Sequence, residues 1–188
     1  MMKSMVEATM RQNLIEAAIR VVSTSGLRGL THRAIAVEAG ASHGLVRHYF
    51  GTIDELLVEA MQVVVPRLTA ATGLDSHSTK ISDFSRGVES MAKHTPEDQA
   101  FVSEMVLEAR RQPALRPIVE AMYDNFRASV RQQLEQRGMV VDETMAVLVF
   151  ATLDGLIFEQ QALGRPLETR RAILRLQQIL EKIRDDQA

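Results

Sequence analysis

The segment GLRGLTHRAIAVEAGASHGLVRHYF, residues 26–50, constrains the fold of this chain more than any other. It reads as two short helices joined by a tight turn, following a longer amphipathic helix. Thr31 is placed to cap the first short helix, whose Ile35 and Ala39 face inward, and Gly40 supplies the backbone freedom a sharp turn needs. Ser42 is placed to cap the second, with Leu45, Val46 and Tyr49 as candidates for burial. His43, Arg47 and His48 then point to solvent. This is the layout of a helix-turn-helix, in which the second helix enters the DNA major groove.

Elsewhere the apolar spacing is helical almost throughout, and no strand pattern stands out. The first helix is expected over about residues 9–25, with Leu14, Ala17, Ala18, Val21 and Val22 as its apolar stripe. Thr52-Ile-Asp-Glu55 is a capping box that opens a fourth helix, with Pro66 as a bend point. Residues 72–80 read as a polar linker, and residues 82–93 as a helix. Thr95-Pro96-Glu97-Asp98 combines a cap, an N1 proline and acids at the positive dipole end, so a helix starts there and ends near Pro113. Further helices are expected over residues 114–137, from a cap at Asp142 to Gly164, and from Pro166 to the end. The expected fold is all-α, with about nine or ten helices. An N-terminal three-helix helix-turn-helix domain is expected over residues 1–51 and a larger helical domain over residues 52–188.

Composition narrows the class. Apolar residues make up 46% and charged residues 24%, which is ordinary for a soluble globular chain. No apolar run approaches the roughly 20 residues that span a bilayer. The N-terminus has no apolar signal core. No membrane partner and a cytoplasmic location are therefore expected. With no cysteine, thiolate metal sites and cysteine nucleophiles are excluded. Net charge is −2, yet residues 26–50 carry Arg28, Arg33 and Arg47 against Glu38, or +2, together with three of the five histidines. A basic end on an acidic body suits DNA binding at that end. His32, His43 and His48 lack the spacing of a metal site, so no metal and no cofactor is expected.

The run Leu30-Thr31-x-Arg33-x-Ile35-Ala36-x-Glu38-Ala39-Gly40-Ala41-Ser42-x-Gly44-x-Val46, followed by Tyr49-Phe50 and Gly51-Thr52-x-Asp54-Glu55-Leu56-Leu57, resembles the DNA-binding domain of TetR-type transcriptional regulators. The motif similarity covers about residues 9–60. Thr152-Leu153-Asp154-Gly155-Leu156 resembles that family's subunit-contact helix. The resemblance implies a homodimer joined through the C-terminal helices, a double-stranded DNA operator and a small-molecule effector. It implies DNA contacts at Thr31, His32, Arg33, Ser42, His43, Gly44, Arg47, His48 and Tyr49.

Individual roles stay open at this level. Arg33 can reach a guanine edge, hold a phosphate, or stand in solvent. Gly44 either lets the backbone approach DNA or packs against a neighbouring helix. Arg47 lies one turn beyond His43 on the same face and can read guanine, while His48 and Tyr49 suit phosphate contact or packing. Arg47 replaces an aromatic residue common in the family. Where the family often has a phosphate-binding lysine the chain has Ile53, so that contact would have to come from backbone amides near Thr52.

In the body, Met61, Val65, Leu68, Phe84, Met91, Phe101, Met105 and Phe126 are candidates to line one apolar effector space, with Glu108 and Tyr123 as polar handles. Ordinary core packing is the competing role for each. The helix over residues 142–163 is apolar on two sides: Met145, Leu148, Val149, Thr152 and Leu156 on one, Val147, Phe150, Ala151 and Phe158 on the other. One side is expected to face the core and the other a second subunit. No nucleophile–base set, phosphate loop or metal helix is present, so the chain is not expected to be an enzyme. The alternative is a helical ligand-binding protein or enzyme carrying an idle helix-turn-helix.

Overall fold

The computed structural model describes residues 2–74 and 77–187. Among them there are α-helices and short 3-10 turns and no strand. The helices are α1 (Met2–Ser25), α2 (His32–Glu38), α3 (His43–Tyr49), α4 (Ile53–Thr72), α5 (Met91–His94), α6 (Pro96–Ala109), α7 (Arg116–Glu135), α8 (Glu143–Leu163) and α9 (Pro166–Gln187).

Local sequence grammar accounts for most of these boundaries. Thr31 Oγ1 accepts from the Ala34 amide at 3.0 Å, and Ser42 Oγ from the Leu45 amide at 3.2 Å. Thr52 Oγ1 accepts from Glu55 N at 3.1 Å while the Glu55 carboxylate reaches back to Thr52 N at 3.3 Å, a complete capping box. Asp142 caps α8 through the Met145 amide, and Gly164 closes it in the left-handed conformation. Three boundaries differ from the sequence expectation. α1 begins at Met2 rather than near Thr9, and α4 runs through Pro66 to Thr72, taking in the start of the expected linker. Asp75 and Ser76 of that linker lie outside the described residues.

The third difference has a clear cause. Residues 82–93 do not form a helix; they break into 3-10 turns at Ile81–Asp83 and Val88–Ser90 before the short α5. Two of their carbonyls, and that of Lys80 just before them, accept from buried side chains. Arg137 Nε donates to Lys80 O at 3.0 Å, Gln177 Nε2 to Phe84 O at 2.8 Å and Gln160 Nε2 to Glu89 O at 2.7 Å. Ser85, with φ 56°, breaks the path between the turns.

By packing, the described chain forms two compact units. The first combines residues up to 65 with 97–119, and the second combines 66–96 with 120–187. In the first, α1 packs on α2 and α2 on α3 around Leu14, Ala18, Val22, Ile35, Val46 and Phe50, all at most 1% exposed. In the second, α9 packs on α8 and on the two 3-10 turns, around Phe84, Val88, Val149, Leu153 and Leu180. The boundary at 65/66 falls on Pro66, inside α4, where the proline removes one helical hydrogen bond.

Candidate nucleic-acid interface

The three-helix head is held by its turn. The Ala41 amide bonds back to Ala36 O at 2.8 Å and the Gly40 amide to Val37 O at 3.2 Å, with Gly40 at φ +63°. This pair of bonds is a Schellman closure, and a residue with a Cβ at position 40 would be strained in it. α3 therefore leaves α2 in a fixed direction. It has only seven residues, and Val46 is its fully buried anchor, with Leu45 and Tyr49 half-buried.

Burial of Val46 decides what faces out. Ser42, His43, Gly44, Arg47 and His48 are exposed, as are Thr31 and Arg33 at the start of α2; His32 and Tyr49 are half-buried. Thr31 and Ser42 also spend their hydroxyl acceptors on capping. The structure brings His32 and His43 together edge to face, with ring centroids 5.9 Å apart, and sets His48 against Tyr49 at 5.4 Å. The sequence reading did not anticipate the first pair, which links the starts of α2 and α3. A Cβ at Gly44 would meet no atom within 4 Å. Helix packing therefore does not explain that glycine, and the open space lies on the exposed side of α3. Among the described residues no group of three or more His, Asp or Glu side chains is placed to hold a metal ion.

At the start of α4 two backbone amides are already engaged. Phosphate contact was expected from backbone amides near Thr52. Those of Gly51 and Thr52 already donate to the Glu55 carboxylate, at 3.0 and 3.3 Å. A phosphate approaching these two amides would meet the charge of the Glu55 carboxylate.

Sequence reasoning also missed the residues that brace the head. Arg20 pairs with Glu38 at 2.6 Å, and Asn13 Nδ2 donates to Ala39 O at 3.2 Å, so α1 holds the end of α2. Arg11 holds the end of α3: its Nη1 donates to Tyr49 O at 3.0 Å and its Nε to Glu59 Oε2 at 2.8 Å. Its hydrogen bonds to the Glu59 carboxylate raise the guanidinium pKa above the ordinary value. Partners 18 to 48 residues apart leave no periodic trace in a sequence.

The ten candidate effector residues divide between the two units. Met61, Val65, Phe101, Met105 and Glu108 belong to the first; Leu68, Phe84, Met91, Tyr123 and Phe126 belong to the second. Met61, Leu68, Phe84, Met91, Phe101 and Met105 are at most 5% exposed, Phe126 is buried, and Val65 is half-buried. Glu108 accepts from Arg111 and Gln112, both at 3.1 Å, and these bonds hold its carboxyl below the usual pKa. Tyr123 and Phe126 meet on Phe150: Tyr123 edge-on at 5.4 Å, Phe126 stacked at 6.1 Å. Burial raises the Tyr123 hydroxyl pKa, and the Asp154 charge adds to this. An open groove of about 580 Å³ in the second unit, floored by Gln160 and edged by Lys93, His94 and Arg170, contains none of the ten.

The two faces of α8 sort differently from the sequence expectation. Ala146, Val149, Leu153 and Gln160 are buried and Phe150 is half-buried, whereas Val147, Leu148, Ala151, Thr152, Gly155 and Phe158 are exposed. Leu148 and Thr152 thus join the outer stripe and Phe150 the inner one. Phe158 is 55% and Leu148 62% exposed, and on α9 Leu167 and Leu174 stand out at 68% and 50%. By length and composition alone, α8 passes the test for a membrane-crossing helix, which the sequence reading had not expected. Asp154 and Gly155 interrupt its outer face.

Comparison with known proteins agrees with this geometry. A family profile described as bacterial regulatory proteins, tetR family, matches residues 14–60, and one described as tetracyclin repressor-like, C-terminal domain, matches residues 81–178. The HTH-type transcriptional regulator BetI of Burkholderia thailandensis is 29% identical over 176 residues, covering 87% of each chain. The HTH-type transcriptional regulator PksA of Bacillus subtilis is 48% identical over 59 residues, 31% of this chain and 29% of that protein. Among solved structures, a TetR family member from Streptomyces coelicolor A3 is 27% identical with a TM-score of 0.72, covering 93% of this chain and 97% of that one. The multidrug binding protein EbrR complexed with proflavin is 26% identical with a TM-score of 0.63, covering 93% and 99%. The chain belongs to the TetR family of bacterial regulatory proteins, which are DNA-binding transcriptional regulators rather than enzymes and act as ligand-responsive dimers.

Proposed function

We propose that this chain is a cytoplasmic repressor that binds a roughly palindromic operator as a homodimer and is released by a small, largely apolar effector. DNA reading is assigned to residues 1–51, effector binding and dimerisation to residues 52–188. The observation that carries the reading is the outer face of α3. His43, Arg47 and His48 are exposed beside Gly44, whose backbone has open space before it, on a helix fixed by a capped and closed turn. The apolar outer stripe of α8, with small Ala151 and Gly155 at its centre, supports pairing with a second copy in a four-helix arrangement with α9. The test is a titration of the protein with the DNA upstream of its own gene. A discrete complex, with about one dimer per site and a much weaker complex on random DNA, is the expected result. Equal affinity for both would leave only non-specific binding.

Arg47 separates two ways of contacting DNA. As a base-reading residue, Arg47→Ala should cost ~1–3 kcal/mol on the best operator and relax preference at one position per half-site. As a phosphate contact, it should weaken all sequences alike and reduce the salt slope by about one. We expect the first, because Arg47 sits one turn beyond His43 on the exposed face. Unchanged affinity and selectivity in anisotropy titrations would remove it from the interface.

The effector reading is tested at two buried positions of α4, Met61 and Leu68, each taken by itself. Only an effector with different affinities for two arrangements of the dimer can shift DNA binding. Proflavin and malachite green, which EbrR binds in its solved complexes, are reasonable first probes. Met61→Trp or Leu68→Trp should weaken probe binding and mimic or block release from DNA while the dimer persists. Parent-like binding of probe and DNA by both variants would move the effector site elsewhere.

A further inference from the structure

We propose that Arg11 is a positioning residue for operator recognition: it locks the end of the reading helix α3 to the start of α4, so that α3 keeps one orientation in the groove and follows α4 when α4 moves. This rests on the DNA-binding reading above and assigns a determinant of specificity outside the helix-turn-helix itself.

One guanidinium makes all the contacts. Its Nε donates to Glu59 Oε2 at 2.8 Å and its Nη2 to the other Glu59 oxygen, a two-pronged pairing with α4. Its Nη1 donates to Tyr49 O at 3.0 Å. Its carbon lies 4.5 Å from the centre of the Phe50 ring. Tyr49 is the last residue of α3 and Phe50 its C-terminal cap. The Tyr49 carbonyl is one of the orphan acceptors at a helix end, and a cation there also meets the negative end of the helix dipole. A planar fork is needed to serve a carboxylate and a carbonyl at once, and a lysine ammonium cannot reproduce it.

α3 depends on such a brace. Two helical turns with one fully buried side chain leave its tilt loosely specified by packing alone. Its start is set by Ser42 and by the His32–His43 contact; its end is set by Arg11. The side chains of Arg11 and Glu59 are 41% and 29% exposed. A pair this open to water adds little to folding stability. Base reading, in contrast, needs side chains held close to one geometry. Loss of Arg11 should therefore show in recognition before it shows in unfolding.

The experiment compares parent, Arg11→Met, Arg11→Lys and Glu59→Gln. Each is titrated against the operator and against a random duplex of the same length, at several salt concentrations, with thermal unfolding measured in parallel. Arg11→Met keeps the stem over Phe50 and loses the donors. Its operator affinity should fall about tenfold, the order of a weakened base contact, with random-duplex affinity within about twofold and the salt slope unchanged. Arg11→Lys should recover only part of the loss, and Glu59→Gln should resemble Arg11→Met in direction. An equal fall on both duplexes with a lower unfolding midpoint would make Arg11 a structural residue and overturn the proposal. So would a salt slope smaller by about one, which marks a phosphate contact. Unchanged operator affinity in Arg11→Met overturns it as well. A parent that prefers no operator fails at the DNA-binding reading itself and takes the proposal with it.

Discussion

Ala151→Glu should leave the chain folded and abolish its dimer. Ala151 is exposed on the outer stripe of α8, between Leu148 and Gly155. In a lone subunit its side chain meets water, so a glutamate there costs little, within about 0.5 kcal/mol. Across a two-fold interface the same change buries two like charges without partners. Each uncompensated buried charge costs ~3–5 kcal/mol, so the dimer should weaken by at least about a thousandfold. Operator binding then falls to that of a single head. Sedimentation velocity at micromolar concentration, with circular dichroism on the same sample, reads both quantities. A persisting dimer would show that this stripe is not the subunit contact.

The neighbouring position gives the contrast. Phe150 points inward, stacked at 6.1 Å on Phe126 and edge-on to Tyr123. A charge there enters an aromatic cluster and breaks up its stacked rings, so it should unfold the second unit rather than split a folded dimer. Two adjacent residues on one helix thus separate association from folding. The sequence placed both on the same side of α8. Its apolar residues cover so much of the circumference that spacing alone cannot fix which way the helix is turned.

What was legible in the sequence is what local chemistry determines. Thr31, Ser42, the Thr52–Glu55 box, Asp142 and Gly164 act within four residues of themselves, so the bonds they make could be read from spacing. The exposed face of α3 followed from the single buried Val46. The segment from Lys80 to Ser90 was misread because its path is dictated from afar, by Arg137, Gln160 and Gln177 bonding to its carbonyls. Arg11 was invisible for the same reason: its partner Glu59 is 48 residues away. At the start of α4 the capping box was read from spacing. The carboxylate that completes the box also accepts from the Gly51 amide, a bond that spacing did not announce.

Gly87→Ala should be the most damaging single methyl in the second unit. The Gly87 amide donates to Thr72 O at 3.3 Å, which brings this turn's backbone directly onto the last turn of α4. A Cβ at position 87 would lie 1.8 Å from Ala71 O and 2.8 Å from its carbonyl carbon. No side-chain rotation relieves this, because both obstructing atoms are backbone. The φ of Gly87 is −72°, ordinary for any residue, so the requirement for glycine is one of close approach and not of backbone conformation. Relief requires the turn to move off α4, which drags Val88 from the core, where it is fully buried, and breaks the bond to Thr72. Overpacking of this kind costs about 3 kcal/mol or more, and at about 2–4 °C per kcal/mol for a chain of this size the melting temperature should fall by roughly 10 °C. The functional consequence lies in α4. Its first residues adjoin the reading head, and its last turn is held in the second unit by this glycine contact. A chain that still folds with the contact broken should keep DNA affinity but lose response to a bound probe, because the far end of α4 is no longer fixed. Parent-like melting of Gly87→Ala would mean that the two backbones do not touch, and that α4 is anchored elsewhere.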